Sequence, residues 1–383
     1  MAERTAIVGA GYTPLRALSS HASFRELVFE AAVRAYQDAG ITPADIDSVV
    51  ALGEDYREGT CISDEYVPDQ LGAVQKPVHT VTGDGVQGLG MAWMLLQSGV
   101  ADIVVLEGHS KASNIRHPAH VEAMALDPVF VRGHAWNPLF VAGLEMQRFL
   151  HETGITPQQA AQVVVKNKRN ALRNPIAAYP GQITVEQVLK SQPWADPLTE
   201  LAVAPPADGA FVFVVANAAG CKRCRGQPVF IDGIAWNSDT PNLATRDWTR
   251  ATYIEKAAAR AYEMAALQNP AADLSFIEAD DAYSYKELQH LEALQLIPKG
   301  QSGQWLQDGH FDLGGKLPVN PSGGALGCGN LHDASALRAI LEAVWQLRGQ
   351  AGERQIPNAR RGLVCSWRGV PTATGGVAIL SGR

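Results

Sequence analysis

No stretch of the 383 residues is apolar for long enough to cross a bilayer as a helix, so a membrane span is not expected. Cysteine is scarce. The five present are an odd number scattered along the chain, which fits a reducing compartment better than a disulfide framework. Cys221 and Cys224 form a lone C-x-x-C with no second pair or nearby histidine to complete a tetrahedral metal site, so no metal is assigned and the segment reads as a basic surface loop. Positive charge is also in deficit: 32 Lys and Arg against 39 Asp and Glu give a net charge of −7, which excludes bulk phosphate-backbone binding and hence nucleic acid. A local basic patch for one nucleotide-like ligand stays open. The chain runs from Met1-Ala2-Glu3-Arg4 directly into the strand-like Ala6-Ile7-Val8, so no secretory leader is expected and a cytoplasmic location is.

What is present is the composition of a soluble globular protein, too long for one ordinary core. The order of elements repeats. Residues 5–13 read as a strand and turn, 24–39 as an amphipathic helix stopped by Gly40, and 46–52 as a strand; the pattern restarts with a strand at 229–233, a helix at 253–267 and a strand at 274–279. The two helices share an echo, Ala31-Ala32-Val33-Arg34-Ala35-Tyr36 against Ala257-Ala258-Ala259-Arg260-Ala261-Tyr262. Each half next supplies a glycine-rich turn leading into a helix, at 83–88 and 323–329, then strands at 102–106 and 362–365, and closes on strands at 210–216 and 376–380. The economical reading is a duplicated α/β chain with mixed, mostly parallel sheets covered on both faces. Its lobes are residues 1–225 and 226–383, the first carrying an insertion at about 110–208 with helices of its own, long enough to be functional or interfacial.

The turn Val81-Thr82-Gly83-Asp84-Gly85-Val86-Gln87-Gly88 is the natural place for chemistry, because free N–H groups at a helix N-terminus favour an anion or a developing oxyanion. A threonine and an aspartate occupy it, and no thiol. Asp280-Asp281 follow an apolar strand, at the end where α/β sheets place ligands, and the pleat sends only one of them into a groove.

Taken together, Thr82 to Gln87, Lys166 to Pro175, Ile183 to Leu189, Ala207-Asp208-Gly209-Ala210, Glu278 to Ser284 and Asn320 to Gly324 resemble the thiolase superfamily, in the style of its sterol-carrier-protein-type and archaeal members. The resemblance covers nearly the whole chain. It implies a five-layered α-β-α-β-α fold, a dimer formed with a like or a different thiolase-like chain, and a groove for coenzyme A thioesters in which the coenzyme belongs to the substrate and no cofactor is tightly held. Ser322, Gly323 and Gly324 would then serve coenzyme binding, and the basic Lys166, Lys168 and Arg169 would meet a nucleotide phosphate or remain a solvated face.

The reacting groups depart from that pattern. Thr82 stands where the resemblance places the nucleophilic cysteine, Asn330 where it places the catalytic histidine, and Asp280 where it places the residue at the thioester oxygen. The hydroxyl of Thr82 needs an adjacent base to attack, and otherwise bonds the turn. Asp84 either caps the following helix or moves protons. Asn330 can donate to an oxygen but exchanges no proton, and His332 either reaches the pocket or caps the next helix. Tyr283 and Tyr285 either stabilise an enolate or pack. Cys365, beside a Trp367 that replaces an oxyanion-hole glycine, either shuttles protons or is a small buried residue.

Two readings follow from the resemblance. In one, the chain makes or breaks a C–C bond on an acyl-CoA by an aldol-type route of lipid metabolism, with Asp280, Tyr283, Tyr285 and His332 as working groups and a small zinc-ribbon/OB-fold protein as partner. In the other it is a non-catalytic subunit of an active thiolase or acyltransferase. A minor third, thiolysis by Cys328 or Cys365, needs a reactive thiol.

Overall fold

The computed structural model describes residues 4–53, 63–134, 136–369 and 373–382. Among these, nine strands form one sheet: β1 (Ala6–Tyr12), β2 (Ser48–Leu52), β3 (Val78–Val81), β4 (Ile103–Lys111), β7 (Asp208–Ala216), β8 (Val229–Ser238), β9 (Phe276–Ala279), β10 (Arg361–Arg368) and β11 (Thr374–Ser381). The short β5 (Pro193–Ala195) and β6 (Leu198–Thr199) pair separately. Strand order is β3-β2-β4-β7-β1-β8-β11-β10-β9.

Read outwards from its centre, this order repeats. On one side β1, β7, β4, β2 and β3 pair antiparallel, antiparallel, parallel and parallel. On the other, β8, β11, β10 and β9 do the same, with Val319 completing the series as a parallel bridge to Ile277. Within the described part of the sheet the halves are joined by the antiparallel pairs Ala6–Phe230 and Ile7–Val229. The sheet is mixed as expected, with its parallel pairings at the outer strands. The inner ones are antiparallel because the last strand of each half returns to lie beside its first, β7 between β1 and β4 and β11 between β8 and β10.

Helices fill both faces of each half. Ala6, Val8, Val49, Val105 and Val212 pack against α1 (Phe24–Ala39). The opposite face meets α2 (Gly85–Gln97) and α8 (Ser335–Arg348), which are covered on their far side by Phe276, Val364 and Leu380 of the second half. The outer face of that half, with Ile277, Leu363 and Val377, packs against α5 (Thr252–Met264), α6 (Ser284–Ala293) and the helices of the insertion, α3 (Pro138–Thr153) and α4 (Pro157–Ala171). The layers are α-β-α-β-α.

Local signals explain the elements. Ser23 and Glu26 form a capping box on α1, and Gly40 ends it in the left-handed conformation, φ 67°. The alanine echo marks one packing device used twice. A side chain on Gly11 of β1 would collide with the backbone of Ala31 in α1, and one on Gly233 of β8 with that of Ala261 in α5, so small residues on both partners let helix and strand touch. The second glycine turn departs from the first: it opens only the five-residue α7 (Gly324–Cys328), and a loop over residues 329–334 precedes α8. That loop carries Asn330 and His332 into the site.

Candidate functional site

The start of α2, the end of β9, the loop after α7 and the end of β10 converge on a small pocket of about 60 Å³. Asp84, Asp280, Tyr283, Asn330, His332 and Trp367 line it, so six groups from four separate segments meet in one pocket. The insertion supplies Glu122 and Pro138 to the same pocket. Next to it lies an apolar vestibule of about 570 Å³, built by Ile115, Pro118, Leu139, Trp194, Val203, Pro205 and Pro206 and sharing Tyr283, Asn330 and His332 with the pocket. Trp367 lines the pocket, its ring edge-on to Tyr283 at 5.8 Å.

Asp84 is the N-cap of α2. Its Oδ1 accepts from the N–H groups of Val86 (2.8 Å) and Gln87 (3.2 Å), while Gln87 Oε1 accepts from Asp84 N. The helix terminus that the sequence offers to an anion is thus occupied by a carboxylate of the chain itself. Burial raises the Asp84 pKa, against the opposing hydrogen bonds from Ser366, Gln87 and Val86.

At the end of β9 the pleat separates the two aspartates. Asp280 turns to the pocket, and burial, reinforced by the charges of Asp281 and Asp84, lifts its pKa to about 7. A carboxyl group that titrates there suits proton transfer at neutral pH. Asp281 turns away, fully buried, accepting from Ala325 N (2.5 Å), Leu326 N (3.1 Å) and Asn167 Nδ2 (2.8 Å). It therefore caps α7, and a side chain on Gly324, whose φ is 61°, would land on its carboxylate.

Asn330 Oδ1 accepts from His332 N and from Ser335 Oγ, both at 2.9 Å, which leaves the Nδ2 end of the amide to offer to a ligand. His332 itself sits at φ 52°, a conformation few histidines adopt.

Other residues singled out in the sequence are placed elsewhere. Thr82 is exposed on the turn before α2 and lines neither cavity. Tyr285 is fully buried behind the wall, donating to Glu145 Oε2 at 2.6 Å and stacking on Tyr283 at 6.2 Å. Cys365 is buried in the core, where desolvation and the nearby Asp280 and Asp84 hold its thiol protonated. Burial pushes Cys328 up to about 12, so neither thiol suits nucleophilic attack.

Ser322, Gly323 and Gly324 are buried within the fold and touch neither cavity: Ser322 Oγ bonds Glu278 and receives Arg338, and Gly323 packs on Ala171. Lys166 is fully buried and paired with Glu287 at 3.0 Å, so it neither meets a phosphate nor forms a solvated face. Lys168 donates to Tyr179 O, and Arg169 pairs with Asp312 at the surface. Glu122 and Arg368 in the wall lay outside every motif; a lone glutamate in a long insertion carries no sequence signal.

The C-terminal part of the chain, residues 235–382, matches the family model described as Thiolase C-terminal domain-like. An acetyl-CoA acetyltransferase of Methanothermobacter thermautotrophicus is 32% identical over 381 residues, covering 97% of each chain. Sterol carrier protein 2 of Bos taurus is 28% identical over 382 residues, 93% of this chain and 68% of its own. Among solved structures, the one described as Ltp2-ChsH2(DUF35) aldolase superposes with a TM-score of 0.85 at 26% identity, covering 100% of this chain and 98% of that one.

Proposed function

The chain belongs to the thiolase superfamily, and from that premise we propose that it acts on an acyl-CoA by a route with no covalent acyl-enzyme, cleaving or forming a C–C bond in an aldol-type reaction. The observation that carries this reading is the make-up of the pocket wall: carboxylates, a phenol, an amide and an imidazole, with both described core thiols buried outside it.

In the cleavage direction, the Asp280 carboxylate takes the proton of a 3-hydroxyl group. The bond between C2 and C3 breaks as C3 becomes a carbonyl, and its electron pair passes into the thioester enolate. Asn330 Nδ2 and the Tyr283 phenol are the donors for that enolate oxygen, and protonation at C2 from His332 gives the shortened acyl-CoA. The apolar vestibule suits an apolar portion of the substrate. The aldolase likeness supports this reading, and the DUF35 named with it supports a small zinc-ribbon/OB-fold partner for this chain as well. Pairing with a second thiolase-like chain, like or unlike, belongs to the same proposal.

The test is incubation of the purified protein with 3-hydroxyacyl-CoA thioesters, with and without such a partner, reading the carbonyl fragment and the shortened thioester by mass spectrometry. Turnover that falls roughly 10²-fold or more in Asp280→Asn is expected. No turnover in any combination, together with acceleration of a partner thiolase, would replace this account with that of a non-catalytic subunit.

A further inference from the structure

Behind the pocket lies a buried polar cluster that the proposed chemistry does not use. Lys286 of α6 is fully buried, and its Nζ donates to Gln289 Oε1 at 2.8 Å and to Tyr253 OH at 3.3 Å, and pairs with Glu145 Oε2 at 2.7 Å. The same ammonium lies 4.3 Å from the centre of the Trp367 ring. Glu145 belongs to the insertion and also receives the Tyr285 hydroxyl, on which Tyr283 stacks.

Donor and acceptor capacities fix the direction of the remaining bonds. An ammonium only donates, so Tyr253 OH accepts from Lys286 and directs its own hydrogen to His290 Nε2, 3.3 Å away. With Nε2 accepting, the imidazole proton sits on Nδ1. It is donated to the backbone carbonyl of Asp280 at 3.3 Å. One chain of hydrogen bonds thus runs from the Glu145–Lys286 pair to the residue whose side chain lines the pocket.

We propose that Lys286, held by Glu145, is a positioning residue for this site: it sets Asp280 through Tyr253 and His290, and Trp367 through the contact of its ammonium with that ring. Burying an ion pair seldom adds net stability over apolar packing, so a role in geometry accounts for keeping one here. The proposal rests on the reading of Asp280 as the group that moves the proton, and its test has one arm independent of that reading.

In the independent arm, protein labelled with ¹⁵N-histidine is compared with Lys286→Met and with the neutral Lys286→Met/Glu145→Gln, which guards against loss of folding from an unpaired Glu145. The intact chain should show His290 as the neutral Nδ1–H tautomer, and both variants should lose that signature while the folded fingerprint persists. An unchanged His290 in a folded variant would overturn the proposal, whatever the enzyme does. In the second arm, turnover of a 3-hydroxyacyl-CoA should fall roughly 10²-fold in kcat with little change in KM, and Lys286→Arg should recover part of the loss. A KM-only effect, or equal damage in Lys286→Arg and Lys286→Met, would reduce the cluster to a structural one. Absence of turnover in the intact chain would count against the aldol-type reading and leave the tautomer result standing.

Discussion

Asp280 keeps its proton to about pH 7 in the folded chain, against an ordinary carboxyl value of 3.8, because ionising it in the pocket forfeits hydration and places it near Asp84 and Asp281. Between roughly pH 4 and pH 7 the folded chain therefore holds a proton that the unfolded chain has released, and stability falls as pH rises through that window. Asp281, raised to about 6, and Glu278, raised to about 7, act in the same direction. Asp280→Asn, which can still accept from Ala282 N, should be more stable than the parent at pH 8 by roughly 2 °C or more in Tm and nearly equal to it at pH 4, measured by thermal scans across that range. An equal difference at both ends would mean that the carboxyl titrates normally. The thiols give a second residue-scale test. Cys328 and Cys365 are buried and held protonated, whereas Cys221 is partly exposed, so iodoacetamide on the native protein at pH 8 should modify Cys221 well before either. Early modification of Cys365 would bring the thiolysis route back.

Among elements, α4, α6 and α7 meet around charges that no single one of them explains. Lys166 of α4 donates to Val319 O and pairs with Glu287 of α6, which also receives Asn167 and Asn320, while Asp281 caps α7. Lys166→Met leaves a fully buried carboxylate without its cation and should cost about 3–5 kcal/mol, read from urea midpoints. Lys166→Met/Glu287→Gln should cost less, since no unpaired charge then remains; a larger loss in the double variant would show that the carboxylate stands without the lysine. This cluster also shows where reading the sequence stops. The periodicity and caps of α1 and α4 are local, and so are the apolar strands and the pleat at Asp280-Asp281, which is why those elements were legible and why only one of the two aspartates was expected to enter a groove. Lys166 lies one turn from Val163 on the face of α4 that is buried, yet its partner is 121 residues away, so nothing local separates a buried pair from a solvated lysine. The same holds for Ser322, Gly323 and Gly324, whose glycine-rich turn looks like a ligand cradle until Asp281 and Ala171 are seen to occupy it. Thr82 and Asp84 differ by two positions, and only the start of α2 decides which of them faces inwards.

At the scale of the whole molecule, the repeated halves are not packed as separate bodies. α2 comes from the first half and α8 from the second, and together they form the one layer that both halves of the sheet cover, with Leu89 and Leu337 in the same core as Phe213 and Val364. The insertion of the first half crosses over as well: Phe149 and Val163 belong to the core beneath α5 and α6, and Lys166 and Glu145 find their counter-charges on α6. Cutting at 225/226 would strip α2 and the first half of the sheet from α8 and the inner face of β8 to β11, and leave two buried charges, Glu287 and Lys286, without their counter-charges Lys166 and Glu145. Burial of this kind contributes about 25 cal/mol per Å² of apolar surface, and a net folding free energy of roughly 5–15 kcal/mol cannot absorb the loss of that cover. Residues 226–383 expressed alone should therefore lack a cooperative transition. The intact chain should unfold in one step, with circular dichroism at 222 nm and tryptophan fluorescence giving the same midpoint. Two separated transitions, or a soluble second half with a sharp melt of its own, would show that the central helices do not couple the repeats.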